Sequence, residues 1–351
     1  MNYVRNAWYM AGWAQELARE TLAAVTLLGM PLVLYKKRDG DWAALEDACC
    51  HRLAPLSLGR LEGDELRCMY HGLKFGCDGR CTEIPGQAHV PEKVRVRAYP
   101  VEEKWGAVWV WMGDAARADI GLIPKIPDPG STELAVRSDS AEVDGHAGLI
   151  WDNLLDLSHV AFVHLASFMG NDETMARIAL AGENEHKRIE KTAKGVRVKR
   201  WHYDKQGHPL FGDITYDDCV LSDFDIPGYL LLEFRSYRQG VHQRHPGADI
   251  DAIPAEDWLS TRYSCQIVTP VDETRSRIFF SSGIDKDYGD RIDAIFSIVQ
   301  KALIEDKIFV DAQQKVMTRF PERRVMTLGM DAPIMQFRSL VNQRLAEEAA
   351  G

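Results

Sequence analysis

Trp151-Asp152-Asn153-Leu154-Leu155-Asp156-Leu157-Ser158-His159-Val160-Ala161-Phe162-Val163-His164 is the stretch on which the reading of the chain turns. Asp156, His159 and His164 stand in it at the spacing D-x-x-H-x-x-x-x-H, with apolar residues around them. Burying one ionisable group is costly unless it is paired or bound to metal, and an apolar helix has no structural need for three. Two imidazoles and a carboxylate on one side of a metal, with open positions opposite, suit a non-haem Fe(II) that activates oxygen. The third ligand is missing from this stretch and has to come from elsewhere.

The helical pattern from Asp290 to Val316 offers one. Ile292, Ile295, Phe296, Val299, Leu303 and Val310 recur there at the spacing of a single buried face. Asp306 falls on that face, three residues after Leu303 and four before Val310, whereas Glu305 and Asp311 point elsewhere and read as solvated charges. An aspartate on a core stripe is paired, protonated or coordinated. A salt bridge is the bland account, and the two-histidine segment favours ligation. His159 and His164 are five apart, about 140° around an ideal helix, so one ion takes both only if the helix ends or bulges between them. Asp156, three residues before His159, is spaced to orient an imidazole ligand. Asn153 continues the same face, to touch the metal, a water or only its neighbours.

The first third holds a second constellation. Leu32–Tyr35 and Trp42–Leu45 read as strands joined through Arg38-Asp39-Gly40-Asp41, a hairpin signal. Then come Cys49-Cys50-His51-Arg52 and, after sixteen residues counted from Arg52 to Arg67, Cys68-Met69-Tyr70-His71-Gly72. The pattern is C-x-H-x16-C-x2-H. Zinc pairs usually come as C-x2-4-C and H-x3-5-H, whereas here each loop offers one thiolate and one imidazole. That division suits a Rieske [2Fe–2S] cluster, with two Cys on one iron and two His on the other. Zinc is the alternative. Cys50 is not needed as a ligand and reads as a small, semi-buried loop residue. Cys77 and Cys81 flank Asp78-Gly79, so packing on either side of a turn is favoured over a second metal pair. Val94–Ala98 alternates like a half-exposed strand, and Ala107–Met112 reads as a buried one.

Composition bounds the rest. The chain has 351 residues, 46% hydrophobic and 27% charged, as in ordinary globular proteins. A net charge of −10 argues against nucleic acid or an anionic membrane as the main partner. The charge-free run Thr21–Tyr35 contains Gly29 and Pro31 and is too short for a spanning helix. No signal peptide is apparent, and seven cysteines, several beside His, favour metal ligation in a reduced cytoplasm. The Gly/Pro-rich stretch from Gly113 to Gly130 reads as a linker. The expectation is therefore an α+β chain, with a small antiparallel β domain at 1–115 and a larger domain at 116–351. In the larger part, 147–165, 290–316 and 332–349 read as helices. Residues 186–203, 228–238, 262–270 and 276–281 read as strands.

With Cys49/His51/Cys68/His71, then Asn153/Asp156/His159/His164, then Asp306, the chain resembles the Rieske non-haem iron oxygenases along nearly its full length. Within that family it looks like the oxygenase components of vanillate O-demethylase, dicamba monooxygenase and toluenesulfonate methyl-monooxygenase. That closer likeness lies in Val4–Tyr9, Cys49–Arg52 with Ala54–Leu56, Tyr70–Leu73, Ile84–Gln87, Asp152–Asp156, Glu305-Asp306 and Pro321–Arg323. The resemblance implies a Rieske domain followed by a helix-grip-like catalytic domain, and a mononuclear Fe(II) held by His159, His164 and Asp306. It further implies O2 as co-substrate and a separate flavin/iron–sulfur reductase that draws on NAD(P)H. It implies a head-to-tail homotrimer in which Asp156 bridges His71 of one subunit to His159 of the next. O-demethylation of a vanillate-like methoxy-aromatic acid, with release of formaldehyde, is the expected reaction; hydroxylation of an aryl methyl group is the alternative. Two departures stand out. Many relatives have Pro at the place of Cys50, and dicamba monooxygenase has a substrate-binding His where this chain has Gln266, which disfavours dicamba itself. A bare Rieske electron carrier and a ring-hydroxylating dioxygenase are the competing readings.

Overall fold

A computed structural model describes residues 3–167, 185–246 and 250–350. The chain divides into two units, one of Met1–Lys125, Thr269–Glu273 and Glu348–Gly351, the other of Ile126–Val268 and Thr274–Glu347. The fold is α+β, with antiparallel sheets throughout.

The first unit holds three small sheets. One orders β2 (Ala23–Leu27), β3 (Met30–Lys36), β4 (Trp42–Glu46) and β9 (Ala98–Tyr99). The second runs β5 (Arg60–Glu62), β6 (Glu65–Arg67), β7 (Lys74–Phe75), β8 (Cys81–Glu83), and the third joins β1 (Trp8–Trp13), β11 (Ala107–Trp111) and β10 (Val101–Lys104). The β3–β4 hairpin pairs Lys36 with Trp42, and Gly40 takes a left-handed φ of 95° in its turn. Residues 94–98 do not form the expected strand. Val96 donates to Gly79 and Cys81 to the carbonyl of Val94, so the segment splints the β7–β8 turn. Val33, Tyr35, Leu45, Leu56, Leu66 and Phe75 form one core cluster, which also contains Cys49 and Cys68.

The second unit is a seven-stranded sheet in the order β12 (Leu134–Val143), β18 (Ser276–Asp285), β17 (Trp258–Pro270), β16 (Tyr229–Arg238), β15 (Gly212–Asp225), β14 (Gly195–His208), β13 (Glu185–Lys191). Residues 186–203, expected as one strand, are two. The chain turns at Thr192, whose Oγ1 accepts from the amides of Lys194 and Gly195. Its helices include α1 (Ala147–Leu155), α2 (Val160–Val163), α3 (Ile292–Arg319) and α4 (Ala332–Ala350). Phe296 of α3 stacks on Phe280 at 5.5 Å between ring centroids, and Phe337 of α4 meets Phe224 edge-on at 4.6 Å. A Cβ on Gly145 would sit 2.5 Å from Val310 Cγ1, so only glycine lets the chain pass α3 there.

The stripe expected on α3 is half right. Ile292, Phe296 and Val310 are buried, whereas Ile295, Val299 and Leu303 are only partly covered. Ile304, Ile308 and Phe309 are exposed. Among the described residues no helix is long and apolar enough to cross a membrane.

Candidate metal centres

The two cysteine loops are built alike. Cys49 donates its amide to the Ala54 carbonyl and accepts from Leu53; Cys68 donates to Leu73 and accepts from Gly72. Each loop therefore closes four residues after its cysteine on a left-handed residue, Leu53 at φ 56° and Gly72 at φ 79°. The second loop can use only glycine, because a Cβ on Gly72 would lie 2.7 Å from Pro85 Cγ.

The four side chains separate by type. Cys49 and Cys68 are buried and adjacent, each thiol within hydrogen-bonding reach of the other. His51 and His71 are exposed, their ring centroids 4.5 Å apart. Burial and the neighbouring Cys68 thiol push Cys49 up to about 11, so this thiol becomes a thiolate when a metal supplies positive charge. Desolvation, then His51 and Arg52, lower His71, which favours the neutral, ligating imidazole. A buried thiol pair beside an exposed imidazole pair fits a two-iron cluster with unlike ends better than tetrahedral zinc. Cys50 is exposed rather than semi-buried, and Cys77 and Cys81 are free, the first exposed and the second in the core.

The second centre forms where the expected single helix breaks. α1 ends at Asp156, whose backbone turns extended (φ −96°, ψ 97°) and whose Oδ1 caps the amide of Ser158 at 2.8 Å. A 3-10 turn carries His159, α2 follows, and His164 is its C-terminal cap at φ −102°, ψ 29°. This interrupted geometry brings the two rings to 5.2 Å, removing the opposition that a regular helix would impose. The break lies before His159 and at His164, not midway between them.

His159 Nε2 and His164 Nε2 each lie 3.4 Å from Asp306 Oδ1, and one ligand atom from each residue lies within 4.8 Å of the others. The far nitrogens decide what the near ones can do. His164 Nδ1 donates to Glu305 Oε2 at 2.8 Å, and His159 Nδ1 faces the main-chain carbonyl of Asp156. Both Nε2 lone pairs are thereby left for a metal. Burial disfavours the charged form of His164, but Asp306 and Glu305 outweigh it and raise its pKa. Asn153 Nδ2 donates to Asp306 Oδ1 at 2.9 Å, so of the options left open for Asn153 the structure shows contact with the carboxylate.

Two expectations are corrected. Glu305 is not a solvated charge, since it also accepts from Ser167 Oγ at 2.7 Å. Asp311 is not one either: it accepts from the amide of Asp144 at 3.0 Å and from Lys307 at 2.7 Å. Within the chain Asp156 meets His159 through its carbonyl, while its carboxylate serves as the cap.

Comparison with known proteins bears on both centres. The Rieske [2Fe-2S] domain model matches residues 7–100, and that of the vanillate O-demethylase oxygenase C-terminal domain matches 143–347. The toluene-4-sulfonate monooxygenase system iron-sulfur subunit of Comamonas testosteroni is 33% identical, covering 99% of both chains. The dicamba O-demethylase oxygenase component of Stenotrophomonas maltophilia is 39% identical over 90% of this chain and 89% of its own. The crystal structure of dicamba monooxygenase bound to 3,6-dichlorosalicylic acid superposes with a TM-score of 0.84 at 27% identity, covering both chains completely. Likeness of this extent, over both halves of the chain, leaves one conclusion: the chain belongs to the Rieske non-haem iron oxygenases, oxidoreductases that carry a [2Fe–2S] cluster and a mononuclear iron.

Proposed function

We propose that this chain is the terminal oxygenase of a multicomponent monooxygenase that O-demethylates a methoxy-substituted aromatic acid. The observation that carries the reading is the convergence of His159, His164 and Asp306, on the half of the chain that resembles the vanillate O-demethylase oxygenase C-terminal domain. Cys49, His51, Cys68 and His71 hold the cluster, and His159, His164 and Asp306 hold the iron. When bound, the cluster supplies electrons and the iron activates O2 for insertion into a methyl C–H bond. Asn153 positions Asp306 through its amide, and Glu305 keeps the His164 tautomer that ligates. The methoxy carbon gains a hydroxyl, and the resulting hemiacetal collapses. An aryl methyl ether, O2 and the reducing equivalents of NAD(P)H thus become a phenol, formaldehyde and water.

The partners are a flavin/iron–sulfur reductase and two further copies of the chain. Exposed Ile304, Ile308 and Phe309 on α3, with Val325 and Met326 beyond it, support association. In that homotrimer Asp156 joins His71 of one subunit to His159 of the next. The cytoplasm is the proposed compartment, supported by seven free cysteines.

The test uses iron-loaded protein with a surrogate reductase, NADH and a panel of methoxy- and methyl-substituted benzoates and sulfonates. Formaldehyde equal to the oxygen consumed is the expected result. Hydroxymethyl product without formaldehyde would select aryl-methyl hydroxylation instead, the second reading, which the toluene-4-sulfonate relative favours. Neither product, with the iron intact, would contradict both.

A further inference from the structure

The helix-covered face of the large sheet carries polar side chains that no step above uses. Phe337 of α4 packs on Phe224, Phe224 pairs with Leu230, and Leu230 pairs with Gln266, so Gln266 lies on the helix side. Period-two alternation puts Ser264 and Arg262 on the same side, opposite Leu232 and Phe234. Phe280, stacked on α3, puts Ser282 there too. Asn153 ties α1 to α3 and Trp151 ties α1 to α4. This is therefore the side on which the helices hold His159, His164 and Asp306.

Several of these groups lack partners among the described residues. Gln266, 7% exposed, has none at Oε1; Ser282, 1% exposed, has none at Oγ; Arg262 has none at its buried Nε. The Arg262 guanidinium lies over the Phe234 ring, 4.9 Å from its centroid. Asp218, the acid on this face of β15, accepts from Lys205 at 3.1 Å and Ser236 at 3.0 Å, while the buried Nε of Arg262 finds no acceptor among the described residues. A buried donor without an acceptor costs stability, and a bound anion would remove that cost.

We propose that Arg262 is the anion seat of the substrate site, pairing with the carboxylate or sulfonate of the aromatic substrate. Ser282 offers a second donor, and Gln266 Oε1 accepts from a ring hydroxyl. The inference rests on the aromatic-acid reading above and names the residue that selects the acid. Arg fits better than Lys because its planar fork matches a carboxylate or sulfonate edge and stacks on Phe234.

The test is equilibrium binding by calorimetry on the iron-loaded holoenzyme without reductase. The probes are 4-methoxybenzoate and 4-toluenesulfonate against their neutral amides. The wild-type protein is expected to prefer one or both acids by roughly tenfold to a hundredfold, as for a charge-assisted pair. Whichever acid shows the preference identifies the anion. Arg262→Gln should bring the acid down to the amide's affinity, and Arg262→Lys should keep part of the difference. Equal wild-type affinity for acids and amides overturns the assignment without any variant, as does an Arg262→Gln protein that keeps the preference. Formaldehyde release from 4-methoxybenzoate by the wild type is read separately. An acid preference that depends on Arg262 without formaldehyde would fault the demethylase reading and leave the anion seat standing.

Discussion

His164 donates from Nδ1 to Glu305 at 2.8 Å, while its Nε2 faces Asp306 at 3.4 Å, so consecutive acids of one helix hold the two nitrogens of one ring. Removing the outer acid should loosen the ring without removing a ligand. Glu305→Ala is expected to weaken iron retention by roughly 10- to 100-fold, with the cluster absorbance unchanged. Competition with a chelator reads this, and retention equal to wild type would contradict it. Glu305→Gln keeps an acceptor and should lose less.

Asp156→Asn tests the proposed bridge between centres. Asparagine can still cap the Ser158 amide, so the turn that presents His159 should survive. Both metals should stay bound while transfer from cluster to iron slows by roughly 10- to 100-fold in single turnover. Coupled turnover at the wild-type rate would remove Asp156 from that role.

The second cluster loop should not tolerate a side chain. Gly72→Ala pays about 1–2 kcal/mol for its left-handed backbone and also meets Pro85, so cluster occupancy and Tm should both fall. Gly86 has a similar φ of 80° but nothing within 4 Å of an added Cβ. Gly86→Ala should cost the backbone term alone. Equal effects on the two thermal melts would refute the steric argument.

Acid should destabilise the sheet through His208. Burial, then the charge of Arg262, lowers its pKa to about 4, and the neutral ring accepts from Leu210 and donates to Ser260. A histidine depressed in the folded state binds fewer protons than in the unfolded chain. Its contribution is thus whole above about 6.5 and lost as pH falls towards 4, on the order of 3 kcal/mol. Thermal melts between pH 7 and 4.5 should show this loss, reduced in His208→Gln. Parallel profiles for the two proteins would contradict it.

What could be read from the residues alone follows chemical rarity. Cys49, His51, Cys68 and His71 declared themselves because few other uses require that mixture, and Asp306 because it interrupts an apolar stripe. Glu305 escaped because helical angle points it away from Asp306, yet an imidazole has two nitrogens and can reach both acids. The adjacency of Glu305 and Asp306 was the available signal. β15 went unread because Asp217 and Asp218 resemble a loop. Both are fully buried, and they persist in a strand only because Val241, Asp204, Lys205 and Ser236 donate to them. Arg262 was legible as a charge on a strand, but that its Nε lacks an acceptor among the described residues is visible only once the sheet is assembled.

The central claim is one chain with two separate iron sites, and metal counting tests it most directly. Reconstituted wild-type protein should hold about three irons per chain, two in the cluster and one mononuclear. Asp306→Ala should hold about two, with the Rieske absorption and paramagnetic signal unchanged. A wild-type count of two, or loss of the cluster signal in Asp306→Ala, would contradict the account.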